Sequence, residues 1–150
     1  PLHGYGGRGV FKFRAHDANI DTLIEQQRET SGEPLMWQAF LPEVKDKDLR
    51  VHMIDGEVVA QFNRIPAEGS IRANMRVGGT PKEAGLTARQ ITICAALSPW
   101  LKQEGLLLAG LDFIGDYLTE INVTCPTGLR AVQQLEGRNL ADTLWDKALT

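Results

Sequence analysis

Asp112, Glu120 and Asn122 are the residues of this chain whose types and spacing could do chemistry. They lie between Leu106 and Thr127, in LLLAGLDFIGDYLTEINVTCPT, which otherwise reads as two apolar strands joined at Ile114-Gly115-Asp116-Tyr117. Buried strands avoid carboxylates unless something pairs with them. Glu120 and Asn122 are two apart, so on a strand they point to the same face. Asp112 joins them on one condition. A plain two-residue turn at Gly115-Asp116 would set it opposite Thr119, facing away from Glu120, whereas an odd loop or a β-bulge sets it opposite Glu120. The sequence therefore predicts an irregularity in this hairpin. Two carboxylates and an amide oxygen on one sheet face form an all-oxygen donor set that suits Mg²⁺, which fills its other positions with water and phosphate. The plain alternative is a solvated hairpin whose acids face water; the apolar setting of all three residues favours the site.

Cations form the second ingredient. Leu49 to Ile65 reads as a hairpin, LRVHMI and VVAQFNRI about a turn at Asp55-Gly56, and Asp-Gly between β-rich runs is a strong hairpin signal. Arg50 and Arg64 then stand near the outer ends of the two strands, close together. An exposed cross-strand pair of cations repels, and a shared anion removes that penalty. The first nine residues, PLHGYGGRG, are glycine-rich, which frees the backbone to bring its N–H groups close to an anion. They are followed by Val10-Phe11-Lys12-Phe13, read as a short strand. The loop is neither a Walker motif, lacking GK[ST], nor a dinucleotide fingerprint, since no helix follows directly. His3 is read as a plain loop residue.

Other elements position these groups. Asp17-Ala18-Asn19 caps a helix with Ile20, Leu23 and Ile24 on one face, ending by Ser31-Gly32. Pro34 to Leu41 reads as a strand running into a linker at Pro42. Lys45-Asp46-Lys47-Asp48 is a mixed-charge, solvated turn. From Ile65 to Lys82 no hydrophobic period is visible, as in lids and disordered loops. Thr87 opens a helix to about Lys102 with Ile91, Cys94, Ala95 and Leu101 inward, and Gly105 closes it. Two more helices are expected near Gly128–Leu135 and Ala141–Leu149.

The run LDxIGDxLTEINVTxPT resembles the metal-binding end of the bacterial glutathione synthetases, within the ATP-grasp family of carboxylate–amine ligases, and the resemblance extends over essentially the whole chain. It implies that Asp112, Glu120 and Asn122 hold two Mg²⁺ ions on the ATP phosphates, with room for Mn²⁺ instead. It implies that Gly4, Tyr5, Gly6 and Gly7 belong to a mobile loop over those phosphates, spanning about residues 3–9. It places the adenine against the backbone of Gln38, Ala39, Phe40 and Leu41, Phe40 adding an apolar wall, and the ribose near Asp48. Arg50 and Arg64 would face the phosphates and the acyl phosphate, and Arg72 and Asn74 would lie on a second mobile loop at about 65–82. A lid fits the chemistry, since an acyl phosphate must be kept from water until the amine attacks.

The implied reaction is phosphorylation of γ-glutamylcysteine by ATP, then displacement of phosphate by glycine to give glutathione. No nucleophilic side chain is needed, and no Ser-His-Asp or Cys-His set is apparent. The resemblance places two phosphate-contacting lysines and the acceptor-binding domains upstream of Pro1, so these are expected partners and the chain alone is expected to be inactive. The family usually has Ser where Cys125 stands. Rival readings are another ATP-grasp ligase, a nucleotide-binding fragment without turnover, and a structural α+β domain.

At 150 residues, 43% hydrophobic and 23% charged, the chain has the composition of one globular domain with a real core. Its net charge of -3 argues against a general nucleic-acid binder. No run approaches the roughly 18 apolar residues of a membrane helix. The first residue is Pro, not Met, so a missing signal peptide says little and an upstream portion is expected. Cys94 and Cys125 lack CxxC spacing and are read as free thiols in a cytoplasmic protein. A homo-oligomer is compatible with the reading, and neither nucleic acid nor membrane is an expected partner. The expected fold is α+β, an ATP-grasp C-terminal domain of mainly antiparallel sheet with helices packed on one side.

Overall fold

The computed structural model describes residues 1–3, 8–70, 73, 75 and 78–150. The chain divides into two compact units, Pro1–Pro42 and Glu43–Thr150.

The first unit contains helix α1 (Ile20–Ser31). Asp17 Oδ1 accepts the Asn19 N–H at 3.0 Å just before it, and Gly32 ends it at φ 64, donating its N–H to Arg28 O. No residue of α1 is buried; Ile20, Leu23 and Ile24 are half-buried. The two strands expected in this unit do not form: Val10–Phe13 and Pro34–Leu41 carry no ladder. A strand needs a run of a neighbour's N–H and C=O groups; among the described residues a single bond, from Leu2 N–H to Pro34 O at 2.8 Å, reaches these stretches from elsewhere in the backbone, and Pro34 and Pro42 lack donors of their own. Instead the aromatic side chains meet one another, Phe13 lying 6.3 Å from Phe11 and 6.0 Å from Trp37 between ring centroids.

The second unit is built on five antiparallel strands in the order β3-β2-β1-β4-β5. These are β1 (Asp48–Ile54), β2 (Glu57–Ile65), β3 (Thr80–Glu83), β4 (Leu108–Ile114) and β5 (Tyr117–Asn122). Asp55 and Gly56 turn β1 into β2 with φ of 49 and 70, the left-handed pair that two-residue hairpins favour. Strand β3 is a departure from the expected lid. Thr80–Glu83 pairs with Phe62–Ile65, because β2 would otherwise end the sheet with its backbone groups unpaired.

Helices lie on both faces of the sheet, not on one. All seven residues of β1 are buried, so each face of its pleat needs cover. On one face Leu49, Val51, Met53, Ala109, Leu111 and Phe113 pack with Cys94 and Leu101 of α2 (Ala88–Gln103). On the other, Ala60 and Phe62 pack with α3 (Leu129–Glu136) through Ala131 and Val132, and with α4 (Leu140–Ala148) through Leu140. Each such buried Val, Leu, Met or Phe side chain contributes about 1.5–3 kcal/mol.

Helix α2 starts at a capping box: Thr87 Oγ1 accepts the Gln90 N–H at 3.2 Å and Gln90 Oε1 accepts the Thr87 N–H at 2.8 Å. The same two side chains hold the β4–β5 turn, Gln90 Nε2 donating to Gly115 O at 2.8 Å and Thr87 Oγ1 to Asp116 Oδ1 at 2.7 Å. The inward face of α2 is therefore Gln90, Cys94 and Leu101. Ile91, expected inside, is 53% exposed, and Ala95 is exposed as well, because the polar duty of Gln90 rotates the helix. α3 and α4 appear within a residue or two of their expected bounds.

Candidate active-site face

Registers across the sheet assemble the site. Arg50 on β1 pairs with Phe62 on β2 and with Asp112 on β4, and Asp112 pairs with Glu120 on β5. Phe62, Arg50, Asp112 and Glu120 thus form one row across four strands, all on one face. One step along, Ala60, His52, Gly110 and Asn122 form a second row. The predicted irregularity is present. The pairing shifts after Asp112, so that Phe113 meets Leu118 and Thr119 is the extra residue of a bulge. Thr119 Oγ1 donates to the Asp112 carbonyl at 3.1 Å, giving the interrupted ladder a side-chain bond.

Arg50 and Arg64 come together, but buried, each only 6% exposed. Their shared anion is Asp112. It accepts from Arg50 Nε at 2.5 Å and Arg50 Nη2 at 3.0 Å, and from Arg64 Nη1 at 3.1 Å. Arg64 also donates to Asp48, from Nε at 2.8 Å and from Nη2. Asp48 is therefore not on a solvated turn. It is the first residue of β1, 7% exposed, and serves as the second counter-ion of Arg64. Leaving either arginine buried and unpaired would cost several kcal/mol, on the order of 3–5, which is why the acids follow the arginines inside.

The carboxylates are shifted in opposite directions. Burial alone would raise Asp112, but the Arg50 hydrogen bonds and the Arg64 and Arg50 charges together outweigh it and hold its pKa below the usual range. Asp48 moves upward, burial outweighing Arg64. Burial, and then the charge of Asp112 opposite, push Glu120 upward. Arg64 is held above its ordinary value: burial opposes its charge, and Asp112 and Asp48 outweigh that.

Asn122 Nδ2 donates to Gly110 O at 3.4 Å. Gly110 is required by close packing, since a Cβ there would lie 2.7 Å from Pro126 Cβ and 3.3 Å from Arg50 Nη1. Beyond Asn122 the chain crosses the face, and the Thr127 carbonyl accepts Arg50 Nη1 at 2.7 Å.

Among the described residues no group of three or more His, Cys, Asp or Glu side chains is placed to hold a metal ion. A cation site at this face would draw on two carboxylates and an amide oxygen, hard donors of the kind Mg²⁺ takes. A carboxylate offers about four acceptor directions; Asp112 spends three on the arginines, and burial and then Asp112 disfavour the charged form of Glu120. Two cavities, of about 440 and 660 Å³, lie elsewhere and include none of these residues. The first is apolar, between the β1–β2 hairpin and α2 beside Cys94, a free thiol whose pKa burial raises. Cys125 is exposed and free.

Of the other expected residues, Gly4, Tyr5, Gly6, Gly7, Arg72 and Asn74 lie outside the described residues. Gln38, Ala39, Phe40 and Leu41 belong to the first unit, where Lys12 Nζ stands 3.5 Å from the centre of the Phe40 ring. Sequence reasoning missed His52 and the Thr127 carbonyl. His52 is two residues from Arg50 on a strand, so alternation alone could have placed it on the same face; a backbone carbonyl has no such signal.

Residues 1–137 match the family model described as prokaryotic glutathione synthetase, ATP-grasp domain. Curated relatives are similar over 146 residues, 97% of this chain: the glutathione synthetase of Brucella melitensis is 46% identical, with 47% of its own length covered, and that of Agrobacterium fabrum is 46% identical, with 46% covered. The glutathione synthetase of Rhodopseudomonas palustris is 47% identical over the same share of this chain and 47% of its own length. The chain spans about half the length of these relatives. No described helix is long and apolar enough to cross a membrane.

Proposed function

This chain belongs to the ATP-grasp domain family of the prokaryotic glutathione synthetases, and from that premise we propose that it is the ATP-binding and catalytic part of a ligase that joins γ-glutamylcysteine to glycine. The observation that carries the reading is the row Arg50–Asp112–Glu120, with Asn122 beside it on the same face. Phosphoryl transfer asks a protein for alignment and charge neutralisation and for little covalent work. Asp112, Glu120 and Asn122 are the residues that would hold Mg²⁺, two ions by family resemblance, with Mn²⁺ as a substitute; a metal held there would supply neutralisation of the triphosphate charge.

The chain's own groups supply the rest. Arg50 and Arg64 are planar donors suited to tetrahedral oxyanions, and their pairing with Asp48 and Asp112 holds them in place before any anion arrives. They would stabilise charge on the transferring phosphoryl group and on the acyl phosphate. In the same reading Gly4, Tyr5, Gly6 and Gly7 cover the phosphates, Gln38 to Leu41 meet the adenine, Asp48 lies near the ribose, and Arg72 and Asn74 belong to a lid. The missing length of the relatives would supply the acceptor-binding domains and further phosphate contacts, so the chain alone would not turn over. A cytoplasmic location goes with this role.

The test is ADP release by the complete enzyme with Mg·ATP and γ-glutamylcysteine, with and without glycine. Release that needs both acceptors is the expected result. Turnover with a different carboxylate and amine only would discard the substrate assignment and keep the ligase mechanism.

A further inference from the structure

We propose that His52 is a positioning residue, which fixes Arg50 on the active face by sharing the Thr127 carbonyl with it. The proposal rests on the ligase reading above. β1 alternation puts His52 on the face of Arg50, in the row of Gly110 and Asn122, and the ring is fully buried at 0% exposure. Its Nε2 lies 3.1 Å from Thr127 O. A carbonyl only accepts, so Nε2 carries the hydrogen and the ring is in that tautomer.

Nδ1 is then a bare acceptor, buried and without a hydrogen-bond partner among the described residues. Burial, and then the Arg50 charge, lower the His52 pKa to about 4, so the ring is neutral at physiological pH. A Leu in this place would leave no acceptor unsatisfied. The unpartnered Nδ1 offsets what the Nε2–H bond contributes to stability, so the bond is best accounted for by what it holds.

That bond lands where it matters. Thr127 O takes Nη1 of Arg50 at 2.7 Å, while Nε and Nη2 of the same guanidinium hold Asp112. Three of five N–H donors are engaged and the plane is set, which leaves the remaining two for an anion. The carbonyl itself must be held for this to work. The connection from Asn122 to α3 is pinned by Pro126 against Gly110 and by Gly128, whose added Cβ would lie 3.2 Å from His52 Cε1 and 2.9 Å from Phe62 Cζ. With His52 donating, Thr127 O has two anchors; without it, only the arginine it is meant to steady.

The experiment uses the complete enzyme with His52→Leu and His52→Gln, the amide of Gln restoring a donor at similar reach. Expected for His52→Leu is a kcat about tenfold or more below wild type, a KM for ATP changed far less, and a Tm equal or higher. His52→Gln should recover most of the lost kcat. ¹⁵N imidazole spectra of the wild type should show hydrogen on Nε2 and none on Nδ1. Wild-type kcat in the Leu variant, equal impairment in Leu and Gln, or an Nδ1–H tautomer would overturn the proposal. If the wild type gives no turnover with γ-glutamylcysteine and glycine, the ligase reading has failed. His52 is then judged on Mg·ADP titration: weaker binding in His52→Leu, recovered in His52→Gln, sustains the role, and equal affinities end it.

Discussion

Asp112 and Glu120 face each other across β4 and β5 with opposite electrostatic histories, and each predicts a measurable consequence. Glu120 is pushed upward by burial and by Asp112, so its ionised form is disfavoured in the metal-free fold. A raised carboxyl gains stability as pH falls through its folded value. Glu120→Gln should therefore raise the Tm of the metal-free protein at neutral pH and abolish Mg·ATP turnover, the two changes moving in opposite directions. A normal turnover would remove Glu120 from the metal assignment. Asp112 runs the other way: lowered by its arginines, it contributes stability above its ordinary 3.8 that is lost as pH falls through its folded value. His52 adds a limb at higher pH. Its lowered value means that the unfolded chain takes up the proton first, so stability falls from about pH 6.5 toward 4. At about 1.4 kcal/mol per pH unit the full limb is on the order of 3 kcal/mol. In pH-dependent urea melts this limb should disappear in His52→Gln; its persistence would assign the acid sensitivity to another group. Among these residues the sequence showed Asp112, Glu120, Asn122, Arg50 and Arg64 by type and spacing. It could not show that Asp112 is the anion both arginines share, because that contact joins three strands.

The elements differ in how far they could be read. The Asp55-Gly56 hairpin and the α2 cap are written in consecutive residues and appear as expected. The bulge follows from a requirement, that Asp112 face Glu120, yet its location at Thr119 depends on the hydroxyl reaching the Asp112 carbonyl. The face of α2 was legible only in part: Cys94 and Leu101 turn inward as expected, but Ile91 and Ala95 do not, because Gln90 turns inward to hold Gly115, a residue 25 positions away. The stretch 34–41 has strand composition but no ladder, since composition supplies no partner. At the N-terminus of α3, Gly128 has φ 110 and no space for a Cβ beside Phe62 and His52. Gly128→Ala should cost about 2–4 kcal/mol in urea denaturation, through left-handed strain and overpacking together. A loss below about 0.5 kcal/mol, the scale of an ordinary surface change, would show that this junction is loosely packed.

At the scale of the molecule, burial is unequal between the two units. β1 is buried throughout and α1 has no buried residue. Amide exchange should follow this: protection in Val51 and Leu111 close to that of global unfolding, and α1 exchanging much faster through local opening. Equal protection in both would mean that α1 is stabilised by groups other than those it buries in its own unit.

The sequence by itself determined the family, the two hairpins and the order of the helices, because each is carried by residues near one another in the chain. The tertiary structure alone decided how charges are neutralised, which helix face turns inward and that both sheet faces are covered. Those depend on registers between strands distant in sequence, where moving one residue sends a side chain to the opposite face.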